Sequence, residues 1–217
     1  MIALALLVLG AAVAGIALQE PDGDEIEIEG AGAVQRLISG IPQDGARLGD
    51  ESAPVTLEVF NDLQCPSCAD WQRDSIDPLI EQQVREGELQ LGFHHFSLSQ
   101  RATTLAAYGA TAAGEQGRQW QFVELFFINQ EEAEQEGVTE EFLRRIALAV
   151  LELDEEQWEQ DLTSDEVAEV VEQDADLAAE RRLPAEPAVV IIGSLREREL
   201  VEAPSLEEIE QAIEGVR

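Results

Sequence analysis

Cys65 and Cys68 are the only two cysteines in the 217-residue chain, and they stand in the run FNDLQCPSCADW. A pair at this spacing can serve as a cross-link, as half of a metal site, or as a redox couple. As a cross-link it closes a very short loop, and the stabilisation from a disulfide grows with the length of chain it closes. A chain of 217 residues is also long enough to bury a full hydrophobic core without one. As a metal site the pair lacks ligands, because structural zinc takes four. The two histidines, His94 and His95, are adjacent in a predicted strand, so their side chains point to opposite faces. A metal would need a site shared between chains or completed by carboxylates.

The redox reading has a specific physical basis. Pro66 suits the first turn of a helix, which places Cys65 at the helix N-terminus. Unpaired N–H groups and the positive end of the helix dipole there favour thiolate over thiol. Cys68, one turn on, is placed to attack a mixed disulfide and release a substrate. Cys65 is then the nucleophile and Cys68 the resolving thiol. Asp62, Asp70 and Asp74 flank the motif and oppose a thiolate. The helix terminus is expected to win at short range.

The elements that must position this pair follow from pattern. VTLEVF, 55–60, is a compact β-type run ending just before Cys65. A helix from Pro66 carries Trp71 and Ile76 inward, with Pro78 bending or restarting it. GELQLGFHHF reads as a strand with Leu89, Leu91 and Phe93 on one face. From Ser99 to about Leu183 the pattern is helical, with helix starts marked by Thr139, by Asp154 with Gln157, and by Ser164. AVVIIG, 188–193, and ERELVEA form a predicted strand pair. Ser205 with Glu208 is a capping-box signature for a last helix carrying Leu206, Ile209 and Ile213.

Two features bound location and partners. Residues 1–18, MIALALLVLGAAVAGIAL, carry no charge and read as a hydrophobic helix, either a membrane anchor or a cleaved signal segment with Ala12 and Ala14 at an A-x-A-like site. Both readings put the rest of the chain outside the cytoplasm, where disulfide chemistry is permitted. Residues 19–48 read as an acidic flexible linker, with one or two helical turns in AVQRLIS. The chain holds 46 acidic residues against 13 basic ones, all arginine, for a net charge of −33. That excludes the basic footprint of a nucleic-acid binder. Carboxylates spread over the whole chain keep it soluble and suggest adaptation to high salt, which screens their repulsion.

GDESAPVTLEVFNDLQCPSC resembles the entry of the DsbA-like branch of the thioredoxin superfamily. GELQLGFHHFSL is similar to that family's second strand, and AAYGATAAGEQGRQWQFVELFFINQ to its alanine-rich helix and the Trp…Phe segment after it. LPAEPAVVIIG is similar to the stretch holding the family's cis-proline, which falls on Pro187. The resemblance covers 49–217. It implies an α/β thioredoxin-like fold with a helical insertion at about 100–183. It implies Cys65, Cys68 and Pro187 as catalytic residues, with Pro66, Ser67 and the backbone of Glu186 contacting substrate. The cofactor is then the redox-active disulfide itself. The implied partners are reduced or unfolded exported proteins and a membrane quinone-linked thiol oxidase. The reverse direction, as reductase or isomerase, uses the same residues, and a non-catalytic metal- or protein-binding module is the reading from another class. Two departures stand out: Val59 occupies the position where the family often has an acid, with Glu58 of opposite parity, and Glu186 precedes Pro187 where Thr or Val is common.

Overall fold

The computed structural model describes residues 28–97 and 105–217. The segment read as an anchor or signal, 1–18, lies outside the described residues, as do 19–27. Among the described residues no helix is long and apolar enough to cross a membrane.

The described residues build a central sheet of six strands. Its middle strand, β3 (Val55–Asn61), pairs in parallel with β4 (Leu89–His95) and antiparallel with β5 (Ala188–Ile192). On one edge β5 pairs antiparallel with β6 (Glu197–Leu200); on the other, β4 pairs antiparallel with β2 (Arg47–Leu48), itself paired to β1 (Gln43–Asp44). β3 and β5 are buried along nearly their whole length because both faces are covered. Leu57, Val59, Leu91, Phe93, Val189 and Ile191 share the main core with Ile76, Leu79, Ile80, Ile209 and Ile213 from the helices over that face. Phe60, Ala188 and Val190 point the other way and cluster with Ala178 and Leu183.

The helix predicted from Pro66 is present and long. It opens as α2 (Pro66–Trp71), passes through a π-turn at Gln72–Ile76, continues as α3 (Asp77–Leu79) and ends in a second π-turn at Ile80–Val84. Pro78 has no N–H for the i→i−4 ladder, so the hydrogen-bond pattern shifts around it while the helix continues. Six helices then fill 105–181: α4 (Leu105–Gly114), α5 (Gln119–Ile128), α6 (Gln130–Glu136), α7 (Glu140–Ala149), α8 (Glu155–Asp161) and α9 (Asp165–Arg181). Thr139, Asp154 and Ser164 cap α7, α8 and α9 through their side chains, as the spacing predicts. The Ser205–Glu208 capping box is formed at the start of α10 (Leu206–Val216).

The linker expectation requires correction over its second half. Residues 31–48 are not a flexible tether but part of the fold. α1 (Ala31–Ile38) buries Val34 and Ile38, and Leu48 of β2 is fully buried. Spaced four apart, Val34 and Ile38 lie on one helix face and pack into the main core. Within the same stretch, residues 43–48 form the β1–β2 hairpin.

Candidate active site

The chain leaves β3 at Asn61 and reaches Cys65 through a tight turn. The Cys65 N–H donates to the Asp62 carbonyl at 3.1 Å, and the Gln64 N–H to Asp62 Oδ1 at 2.9 Å. Cys65 is the N-cap of α2, with extended backbone (φ −91°, ψ 114°), and Pro66 occupies the first turn. Its carbonyl accepts the Cys68 N–H at 3.0 Å. Cys65 and Cys68 are joined in a disulfide with Cα atoms 5.2 Å apart. Their environments differ sharply: Cys65 is half-buried, Cys68 is fully buried in the core, and Pro66 and Ser67 between them are exposed. The Ser67 hydroxyl lies 3.4 Å from Cys65 Sγ.

Pro187 follows a cis peptide bond from Glu186. The register Phe60↔Ala188 places it beside the end of β3 from which the chain runs to Cys65. Pro187 is buried and Glu186 half-buried. All six residues singled out in the sequence thus lie at one end of the sheet. Two of the three flanking acids are tempered: Arg73 bridges Asp70 and Asp74 on the exposed side of the helix.

The two histidines face opposite ways, as adjacent strand residues must. His94 stacks on Phe60 and is held between carboxylates, Nδ1 against Asp174 of α9 at 2.6 Å and Nε2 against Glu58 at 2.9 Å. Burial alone would depress its pKa, but the two carboxylates together raise it to about 9. Glu58 also accepts from Arg47 Nη1 at 2.6 and 2.7 Å. Burial works against its ionisation, yet His94 and Arg47 hold it below the usual range. Gly92 lies between them in register, and a Cβ there would collide with Glu58 Oε2 and Arg47 Nη1. Glu58 is therefore committed to this cluster on the face opposite Leu57 and Val59. His95 is buried, its Nε2 meets no partner among the described residues, and burial lowers its pKa to about 4. With both nitrogens of His94 engaged by acids, the metal reading loses its best ligand. Among the described residues no group of three or more His, Cys, Asp or Glu is arranged around a metal.

Three contributors were not visible in the sequence. Gln130, opening α6, donates from Nε2 to the carbonyls of Leu63 and Cys65. Trp71, one turn beyond Cys68 and read as a core residue, donates its indole N–H to the Pro204 carbonyl. Glu124 of α5 is buried beneath the active-site helix, accepting from Gln72 Nε2 at 2.8 Å and hydrogen-bonded to Asp77. The partners lie 47 to 133 residues apart, and only the folded chain reveals them.

A half-exposed and a buried cysteine joined across the first turn of a helix, after the central strand of a mixed sheet and beside a cis-proline, define a thioredoxin-fold thiol–disulfide oxidoreductase whose redox group is its own disulfide. The sequence model of the thioredoxin family matches residues 43–215, and the chain belongs to that family. It is 32% identical over 151 residues to a probable disulfide bond formation protein D of Bacillus anthracis, covering 68% of this chain and 70% of that protein. The fold is similar to the crystal structure of oxidised BdbD from Bacillus subtilis, with a TM-score of 0.68 and 26% identity over 82% of this chain and 96% of that one. Wolbachia pipientis alpha-DsbA1 shares the fold at a TM-score of 0.67 and 19% identity, over 79% of this chain and 89% of that one.

Proposed function

We propose that this chain works outside the cytoplasm and introduces disulfides into exported proteins through Cys65 and Cys68. A substrate thiolate attacks Cys65 Sγ; the Cys65–Cys68 bond breaks, and Cys68 leaves with the electron pair and takes up a proton. A second substrate thiol, losing its proton, attacks the substrate sulfur of the mixed disulfide and releases Cys65 as thiolate. The substrate loses two electrons and gains a disulfide, and the pair is left reduced. A membrane quinone-linked thiol oxidase would restore it. The observation that carries this reading is the asymmetry of the pair. Cys65 is reachable at a helix N-terminus, which favours its thiolate as leaving group, while Cys68 is fully buried behind it. Pro66 and Ser67 are exposed and would contact substrate, and the Glu186 backbone beside Pro187 would pair with an extended chain. Residues 1–18 would anchor the domain near its oxidant, or direct its export if removed.

Refolding of a reduced, disulfide-requiring protein tests the chemistry. Cys65→Ser and Cys68→Ser, both without the disulfide that oxidises the substrate, should fall to the uncatalysed rate. Given a disulfide-bonded substrate, Cys65 of Cys68→Ser should attack it, release one substrate thiolate and remain as a mixed disulfide sensitive to reductant. Full activity of Cys65→Ser would end the enzymatic reading. Direction is a separate matter, since a reductase or isomerase uses the same residues. The relatives named for disulfide bond formation favour oxidation. Equilibration with glutathione decides: a potential near the ~−120 mV of a strong oxidant supports it, and one near ~−270 mV supports a reductase.

A further inference from the structure

Gln130 is 3% exposed and opens α6 within the helical insertion, yet its side chain ends in the active-site loop. Its Nε2 donates to the Leu63 carbonyl at 2.5 Å and to the Cys65 carbonyl at 3.1 Å. A primary amide carries two N–H donors, so one side chain can hold both carbonyls at once. The second contact matters because of Pro66. The Cys65–Pro66 peptide has no N–H, so polar contacts can fix its plane only through the Cys65 carbonyl. Among the described residues that oxygen has two donors, the Cys68 N–H within the first helical turn and Gln130 from 65 residues away.

We propose that Gln130 is a positioning residue for the reactive sulfur: by tying the Leu63 and Cys65 carbonyls to the insertion, it keeps Cys65 at the N-terminus of α2 and thereby sets the redox poise of the pair. This rests on Cys65 being the nucleophile. The influence of a helix terminus falls off within one turn, so a loop free to rotate away loses much of the thiolate's stabilisation. Only the reduced state carries that thiolate. Releasing the tie therefore raises the Cys65 pKa and shifts the dithiol–disulfide equilibrium toward the disulfide. The helical insertion thus takes part in tuning a site whose cysteines belong to the sheet domain.

The experiment compares the wild-type protein with Gln130→Met, which keeps the side-chain length and removes the donors. Three readings are taken: iodoacetamide alkylation of reduced Cys65 from pH 3 to 9, the equilibrium with glutathione, and unfolding in urea. The alkylation profile is expected to move up by ~1 pH unit, an about tenfold slowing at pH values below the wild-type thiol pKa. The glutathione equilibrium should move about tenfold toward the disulfide, equivalent to ~30 mV. A variant that is merely less stable, with its pH profile and equilibrium unmoved, overturns the proposal. If the methionine variant does not fold, Gln130→Asn, too short to reach both carbonyls, is read the same way. A wild-type Cys65 no more reactive at pH 5 than a free cysteine would instead remove the assignment of the nucleophile. A low wild-type pKa left unmoved by the substitution removes only the role of Gln130.

Discussion

The indole N–H of Trp71 donates to the carbonyl of Pro204 at 2.7 Å, across 133 residues of sequence. One residue earlier, the Ala203 N–H donates to the Pro187 carbonyl at 3.1 Å. A short loop therefore ties the active-site helix to the proline that flanks it. Glu202 and Ala203 both adopt left-handed backbone (φ 63° and 54°), which costs roughly 1–2 kcal/mol per non-glycine residue. Such strain persists only where surrounding contacts hold it.

Trp71→Phe keeps most of the apolar bulk and leaves the buried Pro204 carbonyl without this donor. The expected loss is ~1–3 kcal/mol, the cost of stranding a buried polar group. Urea unfolding measures it. A loss below ~0.5 kcal/mol would show that the indole bond does not secure the loop.

The adjacent histidines should impose opposite pH slopes on stability. His94 has a folded pKa of about 9, above its unfolded value near 6.5. Its contribution is complete below pH ~6.5 and is lost as pH rises through 9. His95 is depressed to about 4, so its contribution is complete above pH ~6.5 and is lost as pH falls through 4. Stability should therefore peak near pH 6 to 7 as far as these two groups are concerned. His94→Gln should cost on the order of 3 kcal/mol at pH 6, because Glu58 and Asp174 lose their shared cation. It should also flatten the decline between pH 7 and 9. Urea midpoints across pH check both, and an unchanged alkaline slope would argue against a charged His94.

The acid pair formed by buried Glu124 of α5 and half-buried Asp77 of the active-site helix leads to a gain rather than a loss. Burial and the charge of Asp77 hold the Glu124 pKa well above the ordinary range, despite the hydrogen bond from Gln72. Burial likewise pushes Asp77 up to about 6, against the hydrogen bond from Glu124. A carboxyl raised in the folded state contributes stability below its unfolded pKa of ~4.5, and that stability is lost as pH rises through the folded value. Glu124→Gln removes this alkaline loss while keeping a polar group for Gln72 and Asp77. The variant should be more stable than wild type at pH 8 by roughly 1–3 kcal/mol, with the advantage shrinking toward pH 4. Equal midpoints at pH 8 would count against a buried proton at this site.

The parts of the site legible in the sequence were those encoded locally. The strand 55–60, the proline opening α2, the caps at Thr139, Asp154 and Ser164, and the Ser205–Glu208 box all rest on residues within one turn of each other. Pro187 became legible only through resemblance, since an X–Pro dipeptide alone favours trans. Gln130, Trp71 and Glu124 were illegible because each acts on partners at least 47 residues away. A polar residue in a helical stretch such as FINQEEAEQE gives no sign of pointing inward. Arg47 and Glu58 were obscured differently: their pairing depends on a hairpin that the acidic sequence makes read as part of a flexible linker.

Charge yields the last prediction. With 46 acidic and 13 basic residues, repulsive pairs far outnumber attractive ones. The surface ion pairs present, such as Arg181–Glu197 and Arg217–Glu88, are each worth little and weaken in salt. The general repulsion weakens too, because the screening length falls from ~10 Å at 0.1 M to ~3 Å at 1 M. The repulsion is the larger quantity, so the sum favours the folded state as salt rises. Thermal midpoints in sodium chloride should therefore climb between 0.1 and 2 M, steeply at first and then levelling as screening saturates. The same salt should speed alkylation of reduced Cys65 at pH 5, since screening Asp62, Asp70 and Asp74 relieves their opposition to the thiolate. A flat melting profile would mean that this acidic surface serves solubility alone. A rising melt with unchanged alkylation would mean that the helix terminus already dominates at the sulfur.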